Sequence, residues 1–434
     1  MSVRTGLTAG WAALHAAQYG FAISSLNGIQ GPLTCGGAGS ITPHSVSPIA
    51  LKSCIQMNPS AFGVVTAIFT LGGLLGSIAA TTVNNRLGRV GTLRLSALHV
   101  LIGSVLLGLA NSMAVMIAAR IIIGLGCGLT TVTVPLVLSE VAPPAIKRAL
   151  GIMNQIFIVI GMLIAQSLSF PFAEPMAWRY VFAVSVGLAI LQSLGSLFIN
   201  LPEDNARSDE ESDEETSLLP SDDQRPLSIK ELLFSKDPLV TRGLAVVLVT
   251  QLAQQFCGVS PVMYFSTRIL TPVFQSNSRL IALFIIITKL PITILPAFLI
   301  ERLGSHRLLL IPTCFMAIAA VLLGLGINYD AQALSVTGIF SFVIAFSMGL
   351  GPVTWVVLPE VMPKHAVTAA GSIGLALNWT LNFCMGAVFL PLQQWMSGGQ
   401  ENKEGNVFFV LATTCLLAVL GMRIAFRAQN KVAI

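Results

Sequence analysis

Apolar runs of about 20 residues recur along the whole chain, and short polar stretches separate them. A run of that length crosses the hydrocarbon core of a bilayer as an α-helix, which satisfies its backbone hydrogen bonds internally. The first run lacks the small-residue cleavage site of a signal peptide, so we expect it to be a helix. The pattern therefore predicts an all-α membrane protein with twelve transmembrane helices, over residues 8–29, 61–83, 92–110, 113–138, 149–171, 178–200, 242–270, 280–300, 306–326, 335–358, 366–390 and 406–426.

Composition and charge support this class and predict an orientation. Of the 434 residues, 54% are hydrophobic and 10% are charged, an apolar excess that a soluble core cannot bury. Lys and Arg concentrate in alternate loops, as around Arg86 and Arg94, while the intervening loops keep few, such as Lys52. Positively charged loops stay in the cytosol, so both termini are expected there. We attribute the formal net charge of +5 to this bias and expect no nucleic-acid partner.

Two loop motifs recur half a chain apart. "NRLGRVG" begins at Asn85 and "ERLGSHR" at Glu301, while "SEVAPPAIKRALG" contains Glu140 and "PEVMPKHAVTAAG" contains Glu360. The offsets, 301 − 85 = 216 and 360 − 140 = 220, are nearly equal, which favours duplication over chance similarity of short loops. The repeat predicts two six-helix halves in the parallel-repeat arrangement of major facilitator transporters, which hold substrate near the bilayer midplane.

The predicted halves cover residues 1–200 and 242–434, and an acidic linker over residues 201–241 separates them. The linker contains "SDEESDEETSLLPSDD", which shows no apolar periodicity, so we expect it to be disordered and cytosolic.

Amide side chains stand out within the apolar runs. A sugar hydroxyl both donates and accepts hydrogen bonds, and an amide matches it with two donors and an acceptor. An amide in lipid is costly unless it faces a cavity or a partner helix, so these residues either bind a polar solute or join neighbouring helices. The candidates are Gln155, Gln254, Gln255, Asn378 and Asn382.

Longer stretches resemble signatures of the sugar-porter family of the major facilitator superfamily, and especially of the facilitative glucose transporters. These stretches are "GLGCGLTTVTVPLVLSEVAPPAIKRALG", "NQIFIVIGMLIAQ", "QLAQQFCGVSPVMYF", "GLGPVTW" and "NWTLNF". The resemblance implies that Gln155, Gln254, Gln255 and Asn378 contact sugar. It also implies that Trp355 forms a wall of the site, the alternative being a core aromatic residue.

Three residues depart from the family pattern at positions that the resemblance assigns to sugar binding. Ser260 and Lys289 stand where the family usually has asparagine or a similar polar residue, and Ser347 stands where glutamate is frequent. A hexose-sized polar substrate remains the expectation, while glucose itself is in doubt. Anionic sugars or unusual polyols are the alternative substrates.

Lys289 lies in an apolar run, far from either end of its predicted helix. A charged lysine facing lipid there would cost at least ~2.5–3.5 kcal/mol. One interpretation is a cation held by backbone carbonyls that Pro291 and Pro296 free from helix hydrogen bonds. The other is a lysine that lines the substrate cavity, where an ammonium favours acceptor-rich or anionic substrates.

The duplicated loops resemble the charge latch of the same family, in which ion pairs at the cytosolic helix ends hold the outward-open state. Simple cytosolic anchoring by positive charge is the alternative interpretation. The candidate gate residues are Arg89, Glu140, Lys147, Glu301, Arg302 and Glu360.

The acidic residues predict transport without proton coupling. All nineteen fall in loops or at predicted helix ends, whereas proton relays in membranes usually need an intramembrane carboxylate. In proton-coupled relatives the first helix carries an aspartate that pairs with an arginine, and this chain has Ala22 there with Arg120 retained. We therefore predict a uniporter, although His15, His99 and Lys289 keep proton coupling open.

No residue spacing indicates a metal site, a cofactor or a catalytic triad, so an enzyme is not expected. The alternative function from outside the transporter class is a nutrient sensor that does not transport its ligand. A sensor of this fold is expected to carry a long cytosolic signalling tail, and only about eight residues follow the last predicted helix.

Cys35 and Cys54 share the loop 31–58 on the predicted non-cytosolic side, where an oxidising compartment would permit a disulfide. The bridged and the free forms both remain open.

In the acidic linker, Glu214 precedes the pair Leu218 and Leu219 by four residues. The pattern resembles the acidic dileucine signal that clathrin adaptors bind, with a plain solvated linker as the alternative. We expect a vacuolar, lysosomal or endosomal membrane, and the plasma membrane is the alternative location.

Overall fold

The structure is a computed structural model, and it describes residues 3–35, 51–141, 147–199 and 227–430. The chain falls into two compact units. The first comprises Met1–Ser25, Gly31–Gln56 and Ile68–Arg225, and the second comprises Leu26–Gln30, Met57–Ala67 and Pro226–Ile434. Two short pieces from early in the chain, Leu26–Gln30 and Met57–Ala67, thus group with the second unit. The sequence placed both pieces in the predicted half 1–200.

Helices dominate the described part of the chain. In its first half they are α1 (Val3–Ser24), α2 (Gln30–Leu33), α3 (Pro59–Ala67), α4 (Phe69–Gly108), α5 (Met113–Val141), α6 (Lys147–Phe172) and α7 (Arg179–Gly195). After the linker they are α8 (Ile229–Leu233), α9 (Pro238–Phe256), α10 (Val259–Phe274), α11 (Ser278–Ile292), α12 (Pro296–Leu303), α13 (Ser305–Asn328), α14 (Gln332–Met348), α15 (Val353–Val361), α16 (Val367–Ser397) and α17 (Asn406–Asn430).

The prediction of twelve spans is confirmed for the described residues. Nine helical stretches are long and apolar enough to cross a bilayer, and the bent pair α11–α12 makes a tenth. One of the nine, Pro59–Gly108, has 50 residues, about 75 Å of helix at ~1.5 Å per residue, which is more than two bilayer cores. Counting it as two spans, and adding α1, which has 22 residues but is less apolar than those stretches, gives twelve.

Two glycines mark equivalent loops of the duplicated halves. Gly88 interrupts α4 with φ 70° and ψ 176°, and Gly304 separates α12 from α13 with φ 74° and ψ 155°. A side chain disfavours this region of backbone space, so glycine serves both positions. The sequence repeat "RLG" therefore corresponds to a shared turn between consecutive spans.

Small residues allow close helix contacts in the first unit. A Cβ at Gly161 on α6 would overlap the carbonyl oxygen of Ala17 on α1, and a Cβ at Gly20 would overlap that of Ile158. On α5, a Cβ at Gly124, Gly126 or Gly128 would collide with backbone oxygens of α4, at 2.7 Å in the case of Gly126. The sequence "GLGCG" thus serves helix packing, as membrane helices without a hydrophobic driving force require.

Helix breaks in the second unit place backbone groups inside the bundle. Gly258, with φ 84°, separates α9 from α10, and Gly349, with φ −117° and ψ −102°, ends α14 before Pro352 and α15. The axes of α11 and α12 differ by 51°. Each break frees carbonyls from helix hydrogen bonds, and these carbonyls need other donors.

A disulfide joins Cys35 and Cys54 in the first unit. Beside it, the backbone N–H of Ile55 donates to the carbonyl of Leu33 at 2.8 Å. The segment before α3 is therefore tied to the end of α2.

Candidate functional site

Gln254 links α9 to the break between α14 and α15. Its Nε2 donates to the carbonyl oxygens of Leu350 at 2.7 Å and Gly351 at 3.1 Å. Both carbonyls belong to the turn where the helix is interrupted. The Gln254 amide therefore donates the hydrogen bonds that backbone N–H groups would donate in an unbroken helix. Gln254 is buried, which makes these bonds structurally important.

Asn378 on α16 extends this network. Its Nδ2 donates to Oε1 of Gln251 at 2.8 Å and also to Oε1 of Gln254. One amide group therefore connects two glutamines of α9, spaced so that they share a helix face. Sequence reasoning missed Gln251, although it is an amide in the same apolar run as the two glutamines that it identified.

Two further pairs of polar side chains lie along α9, α10 and α16. Ser260 Oγ donates to Oε1 of Gln255 at 2.9 Å across the break at Gly258. Tyr264 OH donates to Oδ1 of Asn382 at 2.7 Å. The structure thus brings Gln254 and Asn378 together, and it gives Gln255 and Asn382 separate partners within the same unit. The predicted list omitted Tyr264.

Lys289 occupies the last turn of α11, and its side chain is 7% exposed. The ammonium nitrogen lies 4.0 Å from Sδ of Met263 on α10 and 6.0 Å from the ring centroid of Phe346 on α14. These neighbours are apolar or weakly accepting groups.

The other predicted substrate residues have different surroundings. Trp355 on α15 is 40% exposed. Gln155, on α6, belongs to the first unit, where it is half-buried. Ser347, at the end of α14, donates from Oγ to the carbonyl of Val343 at 2.8 Å.

Arg120 is buried in the first unit and contacts α1. Its Nη1 donates to the backbone oxygen of Ala22 at 2.8 Å, and its guanidinium carbon lies 4.3 Å from the ring centroid of Phe69. A carbonyl dipole and an aromatic face both stabilise a buried guanidinium. Neither group changes protonation near neutral pH.

The two histidines considered for proton coupling also lie in the first unit. His15 is buried with its ring centroid 4.9 Å from that of Trp11, in an edge-on contact. His99 Nδ1 lies 2.8 Å from the carbonyl oxygen of Leu95, one turn earlier on its own helix.

The structure pairs two of the predicted gate residues with each other. Arg89 Nε lies 3.1 Å from Oε1 of Glu140, an ion pair between the loop of α4 and the end of α5. Glu301, Arg302 and Glu360 are exposed near the ends of α12 and α15. The Lys147 side chain lies outside the described residues, as do Glu214, Leu218 and Leu219 of the sorting motif.

Comparison with known proteins identifies the family. The model of the sugar (and other) transporter family matches residues 5–427. The chain belongs to this family. Its members are transporters rather than enzymes, in agreement with the membrane-spanning fold and with the polar network described above.

Curated relatives of this transporter include proteins of animals and yeast. It is 30% identical over 358 residues to the facilitated glucose transporter member 3 of Rattus norvegicus, covering 76% of this chain and 73% of that protein. It is 26% identical over 426 residues to vacuolar protein sorting-associated protein 73 of Saccharomyces cerevisiae, covering 89% and 87%. Among solved structures, a D-xylose-proton symporter matches with a TM-score of 0.75 at 21% identity, covering 96% of this chain and 97% of that one. The structural match supports the twelve-helix major facilitator fold.

Proposed function

We propose that this transporter is a uniporter that carries hexose-sized polyhydroxylated solutes by facilitated diffusion, through alternating access. The amide network of Gln251, Gln254 and Asn378 in the second unit is the observation that carries the proposal. Each bond in it joins an amide donor to an amide or backbone oxygen, and a sugar hydroxyl can replace either member. A polyol can therefore enter such a network without leaving a buried polar group unpaired.

The glucose transporter among the relatives supports a sugar as substrate. In the second unit, Gln255 and Ser260 offer further hydroxyl-matching groups close to the break in the seventh span. Trp355, partly exposed, offers an aromatic face of the kind that packs against sugar C–H groups. Gln155 in the first unit remains a proposed sugar contact.

Two features support uniport. In the described ranges, each Asp or Glu lies at the end of a spanning helix or between such helices, as with Glu140 and Asp237. Arg120 interacts with the Ala22 carbonyl, and position 22 supplies no carboxyl that could take up a proton. Within the described ranges, therefore, no acid inside a span is placed to couple sugar movement to a proton gradient.

The test is counterflow in liposomes that contain the purified protein. Labelled hexose should exchange against internal unlabelled hexose without a proton gradient, and an imposed gradient should not drive accumulation. Asn378→Ala removes the amide group that joins Gln251 to Gln254, so exchange should fall at least about tenfold. Thr380→Ala, an exposed position on the same helix, is the control and should keep the parent rate.

Two outcomes contradict different parts of the proposal. Concentrative uptake that a protonophore abolishes would rule out uniport while leaving sugar transport intact. Failure to exchange any sugar of a broad panel, in a folded preparation, would rule out the substrate class.

We further propose cytosolic termini and a vacuolar, lysosomal or endosomal location. The concentration of Lys and Arg in alternate loops supports the orientation. The similarity to a yeast protein named for vacuolar protein sorting supports the location, together with the acidic dileucine sequence at Glu214, Leu218 and Leu219. A clathrin adaptor is the proposed partner for that sequence.

A further inference from the structure

Lys289 is a buried cation that the proposed uniport mechanism does not use. Its side chain is 7% exposed, and α11 places it within a membrane span. Burial of a charge in such a position is costly unless a partner or a polar cavity compensates it. This energetic cost favours a functional role for Lys289 over an incidental one.

The surroundings of the ammonium do not provide a strong acceptor. In the described part of the chain, the hydrogen-bonding partner of Nζ is Met263 Sδ at 4.0 Å, and a thioether sulfur accepts only weakly. The Phe346 ring adds a weak attraction at 6.0 Å, near the limit of a cation–π contact. No carboxylate lies within salt-bridge distance of Lys289 among the described residues.

A purely structural explanation fits this geometry less well. The helix dipole at the end of α11 favours a cation, but the carbonyls of Pro291 and Ile292 there already accept backbone N–H groups, at 3.3 and 3.2 Å. Yet the side chain extends to Met263 on α10 and Phe346 on α14 rather than to those carbonyls. The Lys289 carbonyl itself accepts from the Thr293 hydroxyl at 2.8 Å and the Thr293 backbone N–H at 3.0 Å. The ammonium is therefore directed toward neighbouring helices of the second unit.

Those neighbouring helices also carry polar groups of the proposed sugar network. Met263 follows Ser260 by three residues on α10 and directly precedes Tyr264, which holds Asn382. Phe346 directly precedes Ser347 on α14. The residues that contact the ammonium are thus neighbours in sequence of hydroxyl and amide groups that suit a polyol.

We propose that Lys289 determines substrate specificity by donating charged hydrogen bonds to the carboxylate of an acidic sugar. The inference rests on the proposed function, since it names the substrate class of the same site. An anionic group would give the ammonium the partner that the protein lacks there, while the amides and hydroxyls bind the ring hydroxyls. A neutral hexose would leave the charge without an anion.

The test compares an acidic sugar with its neutral parent. We would measure counterflow of a labelled hexuronate in liposomes that contain the parent protein or Lys289→Met. In the same liposomes we would measure how strongly unlabelled hexuronate and unlabelled hexose inhibit this counterflow. A buried charge-assisted hydrogen bond changes affinity about ten- to a hundredfold. The parent should therefore prefer hexuronate to hexose by at least about tenfold, and Lys289→Met should lose that preference while still exchanging hexose.

Two controls separate charge from packing. Lys289→Arg keeps a donor cation and should retain the preference for hexuronate at a reduced rate. Ile286→Met, one turn earlier on α11 and also buried, changes packing without charge and should behave as the parent does. If Lys289→Met is not recovered as folded protein, Lys289→Gln carries the same comparison.

The melting temperature is a second measurement, and it should change in opposite directions if Lys289 has a specificity role or a structural role. Removing an uncompensated buried charge should raise the melting temperature of Lys289→Met, whereas a structural cation would lower it on removal. Hexuronate should stabilise the parent more than Lys289→Met.

The outcomes distinguish this proposal from the one on which it rests. Equal preference for hexose and hexuronate in the parent, or an unchanged preference in Lys289→Met, overturns the role of Lys289 while sugar uniport stands. Absence of exchange with either sugar overturns both. A lower melting temperature for Lys289→Met overturns the specificity role in favour of a structural one.

Discussion

Gln254 illustrates how one side chain serves both architecture and candidate chemistry. It donates to two carbonyls at the break in the tenth span and accepts from Asn378. Gln255, the next residue, accepts from Ser260 within the same span. The two glutamines look equivalent in sequence, but only Gln254 reaches other membrane spans through these bonds.

This difference leads to a prediction for leucine substitutions. Gln254→Leu removes the donor to both carbonyls of the turn: the Leu350 carbonyl keeps the Thr354 hydroxyl at 2.7 Å, but the Gly351 carbonyl and one N–H of Asn378 lose their bond to Gln254. The variant should therefore reduce the unfolding free energy by about 1–3 kcal/mol as well as reduce transport. Gln255→Leu, the matched control, should reduce transport with a smaller loss of stability. Melting temperatures and counterflow rates of both purified variants check this, and equal stability losses would contradict the assigned role of Gln254.

At the scale of helices, the contact of α1 with α6 depends on glycine at the crossing point. Gly161 lies against the Ala17 carbonyl and Gly20 against the Ile158 carbonyl, so each helix presents a glycine to the backbone of the other. Such contacts supply van der Waals packing where lipid removes the hydrophobic driving force.

Gly161→Ala should therefore destabilise the first unit by about 1–3 kcal/mol, because the methyl group would overlap backbone that cannot easily move. The control is Gly187→Ala on α7, where the added methyl group meets nothing within 4 Å. That change should be neutral or stabilising by up to ~1 kcal/mol, as alanine favours helix more than glycine does. Thermal unfolding in detergent measures both, and a neutral Gly161→Ala would show that α1 and α6 separate without cost.

For the whole molecule, the acidic linker allows the effect of a mutation on subcellular location to be measured apart from its effect on folding. Leu218 and Leu219 lie outside both predicted helical halves, so their replacement should leave folding and transport intact. If the dileucine sequence directs sorting, Leu218→Ala with Leu219→Ala should move a fluorescent fusion from internal membranes to the plasma membrane. Asp222→Ala with Asp223→Ala, in the same segment, is the control and should keep the parent location. An unchanged location of the leucine variant would show that the sequence is not a sorting signal.

The sequence by itself determined the all-α membrane class, the twelve spans and the family. These features depend on local length and composition, because a run that satisfies its own backbone in lipid must be helical. The duplicated loop motifs were also readable, because their sequences repeat in the same order half a chain apart. Single amides in apolar runs identified Gln254 and Asn378 as candidates, because a polar group in lipid requires a partner.

Only the tertiary structure decided which partner each polar group has. Spanning helices are apolar nearly all round, so their pattern does not encode which face meets which neighbour. For this reason the sequence did not reveal that Asn378 joins Gln251 to Gln254, or that residues 26–30 and 57–67 group with the second unit. It also left two readings of Lys289 open, and the position of its ammonium beside Met263 and Phe346 depends on how α10, α11 and α14 are rotated.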